Sequence, residues 1–231
     1  MTYNFDEIID RRNTNSENVE GWRPYIFHCG PERVFPYKDE EFIRMWVADM
    51  EFAVAPEILQ AITDRVDRRI LGYTLVYDKG YYEALRAWCE SRYGWSFPKE
   101  QLTFSPGVIP ALYQLTEDLV KPLNGKVLTM TPAYGFFLHA CEYNGVELVT
   151  SPLREENGRF SVDWEDLEAK AADPDVKLLM LCNPHNPTGR IWTEDELRHM
   201  AAIIQNYFLN PANVVFFFSS RRRHTRYGTV T

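Results

Sequence analysis

Only Lys177 interrupts the apolar run VKLLMLC, from Val176 to Cys182. A strand with one wet face alternates apolar and polar residues. A run this apolar suits a strand buried on both faces, as parallel sheets require. Lys126–Met130, closed by Thr131-Pro132, and Val146–Thr150, preceded by Gly145, are two more short strand-like runs, and Asn213-Val214-Val215 opens a further one. Helical patterns separate them. Pro56 starts one, with Ile58, Leu59, Ile62 and Val66 at helical spacing and Gly72-Tyr73 as its stop. Asp78–Arg92 carries Tyr81, Leu85 and Trp88 on one side, and Val108–Val120 carries Leu112, Leu115 and Leu119. Thr193 and Glu196 have capping-box spacing, ahead of a buried face of Leu197, Met200, Ala201 and Ile204. Strands alternating with helices predict an α/β fold with a mainly parallel sheet flanked by helices.

In such sheets ligands gather where strands end and helices begin, so the turns after strands are the informative places. Phe104-Ser105-Pro106-Gly107-Val108-Ile109-Pro110 sets a glycine before a helix start, where unpaired N–H groups and the helix dipole favour an anion; an ordinary turn has the same look. Tyr134, in Thr131-Pro132-Ala133-Tyr134, either lies on a flat aromatic ligand or belongs to the core rim. Asn183-Pro184-His185-Asn186-Pro187-Thr188-Gly189-Arg190 follows the most apolar strand. It holds the Asn186 amide where it can donate to a ligand oxygen; His185 could serve there as a general base, but is expected to be a solvated loop residue. Asp49, in the apolar stretch Met45–Phe52, is expected to act as a helix N-cap or backbone anchor.

Composition bounds the function. With 231 residues, 45% hydrophobic and 14% aromatic, the chain can fill one large domain or somewhat more. A net charge of -8 argues against nucleic-acid binding. No apolar run reaches membrane-spanning length, and the start carries no signal-peptide pattern. Cys29, Cys89, Cys141 and Cys182 are scattered without a CxxC pair, which fits free thiols in a reducing cytoplasm better than a zinc site.

The last residues break with this composition. From Phe216 to Thr231 the chain carries four arginines and no acid. Back-translated, Ser219–Arg226 reproduces a common sequencing adapter, with Phe216–Phe218 as a poly-T stretch before it. The expectation is that residues 216–231 are a non-native tail, with residues 1–55 an N-terminal segment and 56–215 a partial large domain.

Taken together, the motifs resemble fold-type I pyridoxal-phosphate (PLP) enzymes, and among them the cystathionine β-lyase-like C–S lyases of the MalY/PatB type. The resemblance rests on Phe5-Asp6, Ile9-Asp10-Arg11, Thr14-Asn15-Ser16, Trp46–Met50, Phe104–Leu112, Thr131–Tyr134, Glu156–Arg159, Asp163–Leu167 and Asn183–Arg190, and spans residues 1–215. It implies that Gly107, Val108 and Ile109 cradle the PLP phosphate, Tyr134 stacks on the pyridine ring, and Asn186 bonds its 3′-oxygen. Tyr73 matches a tyrosine that reaches the phosphate of a neighbouring subunit in a cytoplasmic homodimer. Trp46, Ala48 and Asp49 match the substrate-side segment. The implied reaction is β-elimination from cystathionine or cysteine S-conjugates, giving thiol, pyruvate and ammonia. Aminotransfer and a non-catalytic regulatory role are the alternatives.

The departures are as informative. The aspartate facing the pyridine nitrogen, the Schiff-base lysine and the arginine for the substrate carboxylate match nothing in this chain, which is therefore expected to be inactive as it stands. An unfinished parallel sheet with an open edge is also expected to fold poorly. The Gly21–Gly30 segment differs from the family's shorter, lysine-containing stretch.

Overall fold

The computed structural model describes residues 3–75 and 78–207, together with the backbone of 214–218. Contacts divide the chain into two units, Met1–Leu75 and Val76–Thr231.

Among its described residues the first unit has three α-helices, α1 (Glu17–Glu20), α2 (Trp22–Phe27) and α3 (Pro56–Asp67), and a 3-10 turn, Asp39–Glu41. Trp22, 9% exposed, is its apolar centre, with the rings of Phe42, Phe35 and Phe27 at 5.0, 5.6 and 5.9 Å. The guanidinium of Arg23 lies 4.6 Å above the Trp22 ring. Pro56 opens α3 as its pattern predicts, but Ile58, Leu59, Ile62 and Val66 are all exposed. The stop is also earlier than expected. The helix ends at Asp67, and Arg69 takes the left-handed conformation (φ 61°) while its N–H bonds Val66 O at 2.8 Å. Gly72 is therefore not the terminator, because the reversal has already been made by Arg69.

The second unit begins with α4 (Lys79–Tyr93). The Asp78 carboxylate accepts from Tyr81 N at 2.6 Å, and Gly94 closes the helix at φ 60°. Helix α5 runs over Val108–Leu115, followed by a π-helical turn, Thr116–Val120, and a 3-10 turn, Lys121–Leu123. The uninterrupted helix expected from Val108 to Val120 is thus widened at Thr116. Its hydroxyl donates to Leu112 O at 2.8 Å, in competition with the helical ladder, and Pro122 has no N–H to offer Asp118.

The remainder alternates: β1 (Lys126–Thr131), α6 (Gly135–Asn144), β2 (Glu147–Pro152), a hairpin of β3 (Arg154–Glu156) and β4 (Arg159–Ser161), α7 (Trp164–Ala171), β5 (Val176–Cys182), α8 (Glu194–Tyr207) and β6 (Val214–Phe218). Asn157 (φ 52°) and Gly158 (φ 75°) form the tight turn of the hairpin. The four-stranded sheet has the order β2-β1-β5-β6 and is parallel throughout. The last three residues of β6, Phe216–Phe218, pair with Met180, Leu181 and Cys182; the rest of the expected tail, 219–231, lies outside the described residues.

Both faces of the sheet are covered. Val127, Leu178 and Met180 pack with Leu112 of α5, Val120 of the π-helical turn, and Phe137, Ala140 and Cys141 of α6. On the other face Leu128, Met130, Leu179 and Leu181 pack with Leu167, Leu197, Met200 and Ile204 from α7 and α8. Alternate strand residues thus feed opposite cores, which is why the strands read as continuous apolar runs; each buried leucine contributes about 1.5–3 kcal/mol. On α8 the buried residue beside Ile204 is Ile203, and Ala201 is only half-buried. The larger side chain takes the inner position. The capping box forms as read: Thr193 N donates to Glu196 Oε2 at 2.8 Å and Glu196 N to Thr193 Oγ1 at 3.2 Å.

Candidate functional site

Strand order decides where a site can lie. From β1 the chain passes through α6 to β2 on one side; from β5 it passes through α8 to β6 on the other. The connections that follow the parallel neighbours β1 and β5 therefore turn to opposite sides, and a crevice opens at the strands' carboxyl ends. Tyr134 follows β1 and Asn186 follows β5, so both belong to the rim of that crevice.

Tyr134 precedes α6 with extended backbone and is half-buried against the α5–α6 core. Phe136 and Phe137 contact its ring at 5.3 and 5.9 Å, the latter edge-on, and these contacts limit its tilt. Helix α5 leads through Lys121–Gly125 into β1 and packs on the same sheet face, so it runs antiparallel to the strand. Its start, Gly107-Val108-Ile109, therefore faces the carboxyl-end side. Among the described residues no side chain caps α5; Ser105 Oγ donates instead to Gly107 O at 2.8 Å. The first-turn N–H groups of the helix are thus left for an external acceptor. Gly107 has extended backbone that any residue adopts, and a Cβ there would meet only Pro110 Cδ, at 3.6 Å. A donor set of helix-start amides, a ring with limited tilt and a carboxamide suits a flat aromatic ligand bearing a phosphate.

The Asn183–Arg190 loop is closed by two backbone bonds of 2.7 Å, His185 N to Arg190 O and Gly189 N to His185 O, with Gly189 at φ 73°. The Asn183–Pro184 and Asn186–Pro187 peptides are cis, as is Thr131–Pro132. Asn186 is exposed at the apex. His185 is not the solvated residue expected. It is 4% exposed, its Nδ1 lies 2.7 Å from Thr188 Oγ1, and its ring meets Trp192 edge-on at 5.3 Å. Burial, and secondarily the Arg190 charge, hold its pKa below the usual histidine value, so it is a neutral packing residue rather than an exposed base. The half-buried Cys182 thiol donates to Pro184 O at 3.1 Å and accepts from the Asn186 backbone; burial pushes its pKa up.

In the first unit Asp49 caps no helix. Its carboxylate is paired with Arg11 and accepts from Asn18 Nδ2 at 2.7 Å, and these partners, Arg11 foremost, lower its pKa. The correction has a simple cause: no helix starts beside Asp49, whereas a guanidinium from a distant part of the chain reaches it. Trp46 Nε1 donates to Asn18 O at 3.4 Å and its ring lies 5.0 Å from Tyr25. Ala48 is exposed on the same segment, and Tyr73 is fully exposed.

Sequence reasoning missed two contributors. Trp192 N donates to Asn183 Oδ1 at 3.3 Å and Trp192 Nε1 to Cys182 O at 2.8 Å. Glu196 carries a second role beyond its cap. The capping-box spacing signalled Glu196; nothing in the local pattern marked its other partner.

A profile of the family described as "Aminotransferase class I and II" matches residues 40–211. The chain belongs to this family. Within it, "Cystathionine beta-lyase PatB" of Bacillus subtilis is 42% identical over 153 residues, 66% of this chain and 39% of that protein. "Protein MalY" of Escherichia coli is 27% identical over 205 residues, 89% of this chain and 50% of that protein. Among solved structures, the PLP-bound C-S lyase from Staphylococcus hominis aligns with a TM-score of 0.78 at 40% identity, over 94% of this chain and 50% of that one. Cystalysin from Treponema denticola, which contains PLP, aligns with a TM-score of 0.79 at 28% identity, over 94% and 51%. The chain has the fold of these fold-type I enzymes, as the resemblance of its motifs implied, and spans about half the length of the relatives it matches.

Proposed function

We propose that the protein, at the length of its relatives, is a PLP-dependent C–S β-lyase that cleaves cystathionine or cysteine S-conjugates to thiol, pyruvate and ammonia, and that these residues supply part of its cofactor site. The observation that carries this reading is the position of Tyr134 and Asn186 on either side of the β1–β5 crevice, with the uncapped start of α5 at the same end. Its relatives named as cystathionine β-lyase or C-S lyase favour elimination over aminotransfer.

In this reading the N–H groups of Gly107, Val108 and Ile109 hold the cofactor phosphate, Tyr134 stacks on the ring, and Asn186 donates to its 3′-oxygen. Bound PLP supplies an electron sink for the carbanion at the substrate's α-carbon. Trp46, Ala48 and Asp49 line the substrate side, with Asp49 kept ionised by Arg11. The protein works as a cytoplasmic homodimer, in which Tyr73 reaches the phosphate of the partner subunit; its fully exposed ring supports this role. Free thiols at Cys29, Cys89, Cys141 and Cys182 support a reducing compartment. Among the described residues no helix is long and apolar enough to cross a membrane, and no acidic, histidine or cysteine cluster could hold a metal ion.

Two measurements test this. PLP titrated into the chain should quench its tryptophan fluorescence saturably, and Tyr134→Ala or Asn186→Ala should weaken binding about tenfold, or 1.4 kcal/mol. The protein expressed at the length of its relatives should release pyruvate from cystathionine. Exchange of amino groups with a 2-oxo acid, without pyruvate release, would move the assignment to an aminotransferase.

A further inference from the structure

We propose that Glu196, with Arg190, is the positioning residue that sets Asn186 against the cofactor, so that the start of α8 acts on the ligand through the Asn183–Arg190 loop. The inference rests on the reading of Asn186 given above.

The geometry is that of one carboxylate serving two structures. Glu196 Oε2 accepts from Thr193 N at 2.8 Å and from Thr193 Oγ1 at 3.2 Å, which fixes the first turn of α8. The same carboxylate takes Arg190 Nη2 at 2.7 Å through Oε1 and 2.6 Å through Oε2. Both side chains are 20% exposed, so the pair is screened less than a surface ion pair. Arg190 is held from two more sides: its other terminal nitrogen donates to Phe160 O, and its guanidinium lies 4.2 Å above the Trp192 ring. Its carbonyl oxygen accepts His185 N at 2.7 Å, one of the two bonds that close the loop around Asn186.

One route therefore runs from Glu196 through Arg190 to His185, the residue beside Asn186. An exposed amide on a loop would otherwise sample many orientations. Tying both feet of the loop to buried partners reduces that freedom before the ligand arrives. An ordinary capping glutamate would need none of these further contacts.

The test compares four chains: wild type, Glu196→Gln, Arg190→Lys and Thr193→Ala. Gln keeps an acceptor for Thr193 N but loses the ion pair. Lys keeps the charge but loses the planar fork. Thr193→Ala removes the hydroxyl that caps Glu196 N and one donor to the carboxylate, but leaves Thr193 N and both Arg190 bonds in place, and so controls for lost helix stability. Each is measured for thermal unfolding, PLP affinity by tryptophan quenching, and the absorbance spectrum of bound PLP as a function of pH.

Glu196→Gln and Arg190→Lys are expected to weaken PLP about fivefold to tenfold and to displace the pH midpoint of the bound spectrum in the same direction as Asn186→Ala. Thr193→Ala is expected to lower the unfolding temperature with unchanged affinity and spectrum. If both pair variants bind PLP with wild-type affinity and spectrum, or if Thr193→Ala moves them equally, the proposal fails while the cofactor assignment stands. If wild type binds no PLP, the cofactor assignment fails and takes this proposal with it. Should Glu196→Gln not fold, Arg190→Lys decides by the same readouts.

Discussion

Thr129 Oγ1 donates to Met180 O at 2.9 Å, a buried bond between β1 and β5, the strands whose ends carry Tyr134 and Asn186. It ties together the two strands whose connections diverge at the crevice. Thr129→Val keeps the shape and removes the donor. We expect a loss of about 1 kcal/mol, seen as a lower urea midpoint at unchanged slope. An unchanged midpoint would show that the bond carries no net stability.

The pH dependence follows from His185. Its pKa is lowered in the folded chain, first by burial and then by Arg190, from the ordinary histidine value of 6.5. Above that value the residue is neutral whether folded or unfolded. As pH falls through 6.5 the unfolded chain takes up the proton first, so stability declines until the folded-state pKa is reached. Unfolding midpoints measured from pH 7.5 downward should fall more steeply for wild type than for His185→Asn. Parallel curves would remove His185 from the acid response.

Thiol reactivity should separate the cysteines. Cys141 is 1% exposed and its pKa is pushed up to about 12 by burial. Cys89 is also buried, with a raised pKa, whereas Cys29 is half-buried. Brief alkylation of the native chain at pH 8, read by peptide mass mapping, should label Cys29 first and leave Cys141 unlabelled until denaturant is added. Early labelling of Cys141 would contradict the packing of α6 on the sheet.

Two glycines should respond oppositely. Gly145 ends α6 at φ 65°, with no atom within 4 Å of an added Cβ, so the penalty for Gly145→Ala is purely one of backbone conformation. We expect it to cost about 1 kcal/mol. Gly135, the first residue of α6, also has open space around it and no left-handed backbone, so Gly135→Ala should be neutral or slightly stabilising. Equal effects on the unfolding temperature would refute the distinction.

Much of the architecture was legible in local pattern. VKLLMLC became β5 with its expected bounds, and the Thr193/Glu196 box formed as spaced. The hairpin at Asn157-Gly158 and helix α6 were not singled out. In the first case the strands are three residues each; in the second, buried and exposed positions on the helix are both apolar, which blurs its period. Gly72, His185 and Asp49 were misjudged for one reason: each had a plausible local role, and a residue elsewhere decided the outcome. Arg69 had already reversed the chain, Trp192 and Thr188 enclosed the imidazole, and Arg11 reached the carboxylate.

By itself, then, the sequence determined the alternation of elements, the parallel sheet and the turns worth watching, because apolar periodicity, caps and glycine–proline turns act over a few residues. Only the tertiary structure decided that β1 and β5 are neighbours whose following connections turn to opposite sides, and that one glutamate serves both a helix cap and the Asn186 loop. Strand order and the pairing of Arg190 with Glu196 depend on how helices pack over the sheet. That packing is set by the sum of many buried contacts and by no single local signal.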